Sequence, residues 1–302
     1  MAASPPDGTS IQTLLGPLRA QRRQAVEALR DIGKEHLTIH VGPERPTDVR
    51  AALLGLAMDD DRRAATLGQI LATFGWHATE AQTIVGAMAR TRGELRGMLV
   101  PVDDETVDQI PAPDEWAVRQ AMLHLMNNEE RLIEDIGYAL VRFHSKQPFS
   151  AQQPSGTRAA GTVGPGVAGG LDALRDRMER IRDALAASAT SLTAEELNAP
   201  AMWAGQQVDL RYMLLRRASH ERQHMVQIAK TLRAIGCHPG EAAMLLAETE
   251  IARGALEGML LGIPDLLVSR DPGNDLPSIA TLLTDAVTEE AARVAAIRGA
   301  IT

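Results

Sequence analysis

"DLRYMLLRRASHERQHMVQIAKTLRAIG", Asp209 to Gly236, holds a helical frame without a breaker until its last residue. Leu210, Met213, Leu214, Leu215, Met225, Ile228 and Leu232 recur at three- and four-residue steps and give the segment an apolar side. Gly236 suits the left-handed cap and Pro239 blocks continuation, so the helix ends there. Inside this frame, His220 and His224 stand one turn apart, beside the apolar stripe. At about 1.5 Å rise per residue, two imidazoles four residues apart lie about 6 Å apart along the axis, close enough to reach one metal ion.

The same periodicity runs through the rest of the chain. Leu54, Met58 and Leu67, and again Leu123, Met126, Leu132 and Ile133, keep helical spacing, while aromatic residues make up only 3%. The fold class is therefore all-α. "DVRAALLGLAMDDDRR" from Asp48 aligns without gaps on "AVRQAMLHLMNNEERL" from Ala117, and "SIATLLTDAVTEEAAR" from Ser278 fits the same frame more loosely. Each follows another helix and a loop rich in Pro, Asp and Gly. The repeating unit is thus a helical hairpin, and a fourth hairpin spans 170–187 and 208–235.

Bulk composition narrows the function. The net charge of -8 and the pI near 5.5 disfavour nucleic acid and anionic membrane surfaces as partners. Cys237 is the lone cysteine, so metal ligands must be His or carboxylate. Neither a signal peptide nor an apolar run of membrane-spanning length is visible, and a cytoplasmic location with a disordered N-terminus over residues 1–9 is expected. Phosphate loops, nucleophile elbows and dinucleotide fingerprints are not recognisable.

A third histidine, His124 in "AMLHLMNNEE", is flanked by apolar residues. Burying three unpaired imidazoles costs free energy unless each lone pair finds a donor or a metal. Three neutral imidazoles converging on one divalent ion remove that cost and leave coordination positions open. His36 and His40 share the same spacing, but Thr38, Ile39, Val41, Gly42 and Pro43 argue against helix there, and both are read as loop or surface residues.

"WAVRQAMLHLMNNEERL" from Trp116, followed after a crossover by "HERQHMVQI" from His220, resembles the DinB-like superfamily, which includes thiol-dependent S-transferases and maleylpyruvate isomerases. His124, Glu129, His220, His224, Gln227 and Ile228 match its pattern position by position. The resemblance implies an up-down-down-up four-helix bundle with a three-His site for zinc or nickel, with iron as a further choice, and frequently a homodimer. It also places the bundle at 77–237 with its crossover at 145–170. A first hairpin at 10–76 and a C-terminal hairpin at 238–302, with Gly55 and Asp285 where the bundle has His124, then either pack together as a degenerate second bundle or clasp the central bundle as extra helices.

Such a site can activate water or a low-molecular-weight thiol toward a small-molecule substrate. Glu129 is the candidate catalytic carboxylate and Glu221 a weaker one. Arg131, Arg211, Arg217 and Arg222 are candidates for binding an anion, although surface pairing predicts the same spacing. Trp116 and Trp203 are either pocket walls or hydrophobic staples. Three classes of function stay open: a metal-dependent transferase, isomerase or hydrolase; a non-catalytic metal-binding stress or detoxification protein; and a helical interaction module.

Overall fold

Apolar residues at helical spacing fold as helices along nearly the whole chain. The computed structural model describes residues 9–42, 47–148 and 168–302. Among these the helices are α1 (Ile11–Leu29), α2 (Val49–Thr73), α3 (Glu80–Met98), α4 (Val118–His144), α5 (Leu171–Ala189), α6 (Leu210–Ala234), α7 (Glu241–Leu260), the short α8 (Asp265–Val268) and α9 (Ile279–Ile301). Two antiparallel hairpins join helices: β1 (His40–Val41) with β2 (Thr47–Asp48) between α1 and α2, and β3 (Pro200–Trp203) with β4 (Gln206–Asp209) between α5 and α6. The expected disordered N-terminus (1–9) and crossover (145–170) lie outside the described residues over 1–8 and 149–167. Among the described residues, no helix is long and apolar enough to cross a membrane.

The chain divides into two compact units. The first comprises Met1–His77, Ala89–Pro101 and Pro239–Thr302; the second comprises Ala78–Met88 and Val102–His238. Helix α3 thus gives its first half to the second unit and its second half to the first. Residues 89–101 stand in the first unit, within the stretch that the sequence assigns to the bundle at 77–237.

In the first unit, two apolar clusters hold α1, α2, α7 and α9 together. One includes Leu15, Leu18, Leu67, Ile70, Leu256 and Leu283; the other includes Leu29, Leu53, Leu56, Leu246, Val294 and Ile297. By position along the helices, a buried ionic layer falls between them. Arg22 on α1 donates to Glu290 on α9 (2.6 Å), to Asp60 on α2 (2.9 Å) and to the carbonyl of Thr249 on α7. Arg253 on α7 donates to the same two carboxylates and to the carbonyl of Leu18. Guanidiniums so buried persist because every neighbouring helix supplies an acceptor. Burial by itself raises the Asp60 pKa, but Arg253, Arg22 and Arg63 outweigh it and hold the carboxyl below its ordinary value.

Within the same unit, the second half of α3 meets α7 backbone to backbone. A Cβ placed on Gly254 would lie 2.7 Å from the Cα of Gly93, and one on Gly93 would lie 2.6 Å from the carbonyl oxygen of Glu250. Glycine is required here by proximity, since both residues are helical.

The two units use one set of parts in different chain order. Helices α1 and α5 are 19 residues long and α2 and α6 are 25. Asp48 and Asp209, each closing a hairpin, cap the following helix by accepting from the amides of Ala51 and Tyr212. In α3 and α7, "RGELRGML" (92–99) answers "RGALEGML" (253–260). The helix–hairpin–helix pair comes first in the first unit and last in the second. The structural counterpart of α2 is therefore α6, while α9 corresponds to α4. The gapless alignment of Asp48 on Ala117 joins helices of different kinds, because Ala/Leu-rich amphipathic helices share apolar spacing wherever they stand.

Gly254→Ala is expected to destabilise the protein by about 1–3 kcal/mol, as overpacking does where backbone must yield, measured by urea unfolding. For Asp60, the unfolded chain takes up a proton before the folded one as pH falls. Its stabilisation is whole above about pH 4 and is lost below it. Urea midpoints of wild type and Asp60→Asn should accordingly differ most at neutral pH and converge in acid; a gap that widens on acidification contradicts this linkage.

Candidate metal centre

Helices α4 and α6 carry the histidines, and one buried arginine sets their register. Arg182 on α5 donates to Glu129 on α4 (2.5 Å), to Glu221 on α6 (2.7 Å) and to the carbonyl of Met88 in the first half of α3 (2.5 Å). All four helices of the second unit are thereby tied at one level. Glu129 lies a little over a turn beyond His124, and Glu221 follows His220 directly, so fixing the carboxylates fixes the imidazoles. The side chains of Met122, Leu125, Met126, Met178, Leu185, Met213 and Leu214 are buried around this brace.

The three histidines converge by their Nε2 atoms. His220 Nε2 is 3.1 Å from that of His224 and 3.4 Å from that of His124, and one nitrogen from each ring lies within 4.8 Å of the others. A tetrahedral ion about 2.0–2.1 Å from each imidazole requires ligand nitrogens about 3.3 Å apart. The two distances to His220 fit that requirement, and the third pair lies within 4.8 Å.

Partners outside the cluster assign the tautomers. Gln227 Oε1 accepts from His224 Nδ1 (2.9 Å), which leaves a lone pair on Nε2. The amide nitrogen of Asn128 donates to His124 Nε2 (3.0 Å) and to the His124 carbonyl (2.7 Å), so that Nε2 is unprotonated but its lone pair is taken by Asn128, which has to release it before that nitrogen can ligate. His220 Nδ1 is buried without a hydrogen-bond partner. A ring with one proton cannot both occupy that nitrogen and serve two lone pairs, and a cation at the centre removes the conflict.

The imidazoles are held neutral. Burial first, then the charges of His224 and Arg217, lower His124 to about 4. Burial, then Arg217, the two other histidines and Arg216, lower His220 to about 3. His224 is lowered by burial, opposed by its bond to Gln227. Neutral imidazole is the form that ligates. Around the cluster, Trp116 stacks on His224 with ring centroids 6.0 Å apart and tilts on His124 at 5.3 Å, while Trp203 on β3 meets His220 edge-on at 6.1 Å.

The structure thus brings His124, His220 and His224 together. It places Glu129, 1% exposed, and Glu221, 0% exposed, against Arg182. Arg217 is buried beside the cluster, whereas Arg211 pairs with Glu80 at the surface and Arg222 is exposed. Trp116 and Trp203 both stand against the imidazoles. His36 and His40 lie in a turn and at the exposed edge of β1. Sequence reasoning missed Asn128, Arg182 and Arg216. The first was detectable four residues after His124, and the second by its place in the apolar stripe Met178, Ile181, Leu185.

At the corresponding helical positions the first unit has Asp285, Asp59 and Arg63 instead of histidines. Asp59 pairs with Arg293 and Arg62, and Arg63 with Asp60 and Glu289. Asp285 is the residue expected at the position of His124, while Gly55 belongs to α2 and so faces a different counterpart.

Two substitutions test this description. Gln227→Leu should lower divalent-metal affinity about 10- to 100-fold, as loss of a partner that orients a ligating imidazole does, with the far-UV spectrum unchanged. Arg182→Met leaves Glu129 and Glu221 buried without their partner and should cost about 3–5 kcal/mol of stability; a variant as stable as wild type in urea would contradict the bracing role.

Compared with families of known proteins, residues 87–228 match the DinB superfamily. No match was found among curated proteins or among solved structures. The matched segment takes in His124, Glu129, Arg182, His220, His224 and Gln227 and ends on Ile228, so that over this helical bundle, just under half of the chain, the protein is similar to the DinB superfamily.

Proposed function

We propose that the protein is a metal-dependent transferase or isomerase in which a divalent ion, zinc or nickel, is held by His124, His220 and His224. The observation that carries this reading is the convergence of three imidazole rings, with the His224 tautomer set from outside by Gln227. When bound, the ion supplies the Lewis acidity that makes a small thiol or a water nucleophilic at neutral pH. Three protein ligands leave a position open for that molecule. Nickel and zinc suit an all-imidazole site, and cellular supply selects between them.

The protein's own groups orient and exclude. Gln227 holds the His224 ring through Nδ1, and Asn128 gives up its bond to His124 Nε2 when that nitrogen ligates. Trp116 and Trp203 cover the imidazoles with apolar ring surface and restrict water. We assign to Glu129 and Glu221 the positioning of Arg182, and through it of both histidine-bearing helices, in place of the proton transfer that the sequence pattern suggests for Glu129. Low-molecular-weight thiols are the first nucleophiles to try, since the superfamily resemblance points to them.

Elemental analysis of protein purified without a His tag or chelator should find near-stoichiometric divalent metal. His124→Ala and His224→Ala should each abolish it. The loaded protein should then consume a thiol together with an electrophile, and chelation should stop the reaction. Absence of metal, with no uptake of added divalent ions, would remove this reading; metal without turnover on any thiol would favour a non-catalytic metal-binding role.

A further inference from the structure

Two guanidiniums stand within electrostatic reach of the histidines, and the imidazoles bring no charge to answer them. Arg217 on α6 is 2% exposed, and its Nε and Nη1 make no hydrogen bond. Its Cζ lies 5.5 Å from the centre of the Trp203 ring, and that of Arg216 lies 5.6 Å from the same ring. Arg216 is held there by Ser219 (2.7 Å) and Gln223 (3.0 Å). Trp203 in turn meets His220 edge-on, so both guanidiniums flank the imidazole cluster. Both depress the histidine pKa values, which marks them as electrostatically close. Burial lowers Arg217 to about 10, so it remains charged at neutral pH, helped by Glu129, Glu221 and Asp135.

Three neutral imidazoles bring no negative charge to a divalent ion. Glu129 and Glu221, the carboxylates next to the ligands in sequence, accept from Arg182 and also act on Arg217, and neither is among the three ligands. An ion bound here would therefore face two guanidiniums with its charge uncompensated by its ligands. A negative charge in the open position is attracted by all three cations, whereas a neutral ligand gains nothing from the arginines. Buried guanidinium N–H groups without acceptors are uncommon in folded proteins, and a polar or charged ligand is one standard reason for them.

We propose that Arg216 and Arg217 are specificity-determining residues that make the open position of this site select an anionic ligand over a neutral one. The inference rests on the three-histidine metal reading and deepens it: the molecule activated there enters as an anion, a thiolate or a carboxylate, with its charge shared between metal and guanidinium. Arg217, buried and under-bonded, carries the larger share. Arg216, nearer solvent, contributes the longer-range attraction.

The test uses the full chain loaded with cobalt(II), whose visible spectrum reports the open position without any assay of activity. Wild type and the variants Arg217→Met, Arg217→Lys and Arg216→Gln are titrated with azide, an anion, and with imidazole, a neutral ligand. Azide should weaken about tenfold or more in Arg217→Met, less in Arg217→Lys, and a few-fold in Arg216→Gln, because the lost attraction acts on charge alone. Imidazole affinity should stay within about twofold in each on the same ground. Cobalt affinity should hold or rise in Arg217→Met, since a nearby positive charge is gone. If azide is unaffected, or azide and imidazole weaken together, the anion-selecting role is overturned while the metal site stands. If wild type takes up no cobalt, the metal reading itself has failed. Should Arg217→Met unfold, Arg216→Gln decides the question by the same comparison.

Discussion

A single buried guanidinium governs the second unit. Arg182 reaches a carboxylate on α4, a carboxylate on α6 and a backbone carbonyl on α3, and an arginine in a protein interior is tolerable only when its donors are met in this way. Because the acceptors come from different helices, the pairing leaves those helices one relative register. His124 and His220 sit within about a turn of the two carboxylates, so a bond made for electrostatic reasons sets the distances between imidazoles. The three-histidine cluster depends on the brace in the way that a ligand set depends on its supporting shell.

The first unit shows what the same brace does without the ligands. Arg22, Asp60, Glu290 and the Thr249 carbonyl repeat the arrangement of Arg182, Glu221, Glu129 and the Met88 carbonyl, helix for helix. One turn away, Asp59 and Arg63 enter ion pairs with Arg293 and Glu289 where the second unit has imidazoles. The brace is thus a property of the scaffold, and the chemistry is set by the residues one turn from it. The ion pairs answer each other's charges, whereas the histidines leave lone pairs aimed at a common point.

Neutrality and enclosure work together at that point. Burial and neighbouring arginines keep the imidazoles unprotonated, tryptophan rings pack against them, and Gln227 holds the His224 tautomer from outside. These groups come from α4 and the residues just before it, from α6 and from the β3–β4 hairpin, which the brace and the apolar core bring together.

The sequence by itself determined the all-α class and the HxxxH pair on α6, because helical periodicity and ligand spacing are local quantities read within one or two turns; the partnership with His124 came through the family pattern, which also marked Gln227. Only the tertiary structure decided that Glu129 faces Arg182, that Arg182 belongs with it at all, that α2 answers α6 in place of α4, and that Trp203 and Arg217 meet across the hairpin. Those facts turn on which buried charge finds which acceptor, and that choice is made between helices far apart in sequence, where amphipathic patterns look alike and only packing tells them apart.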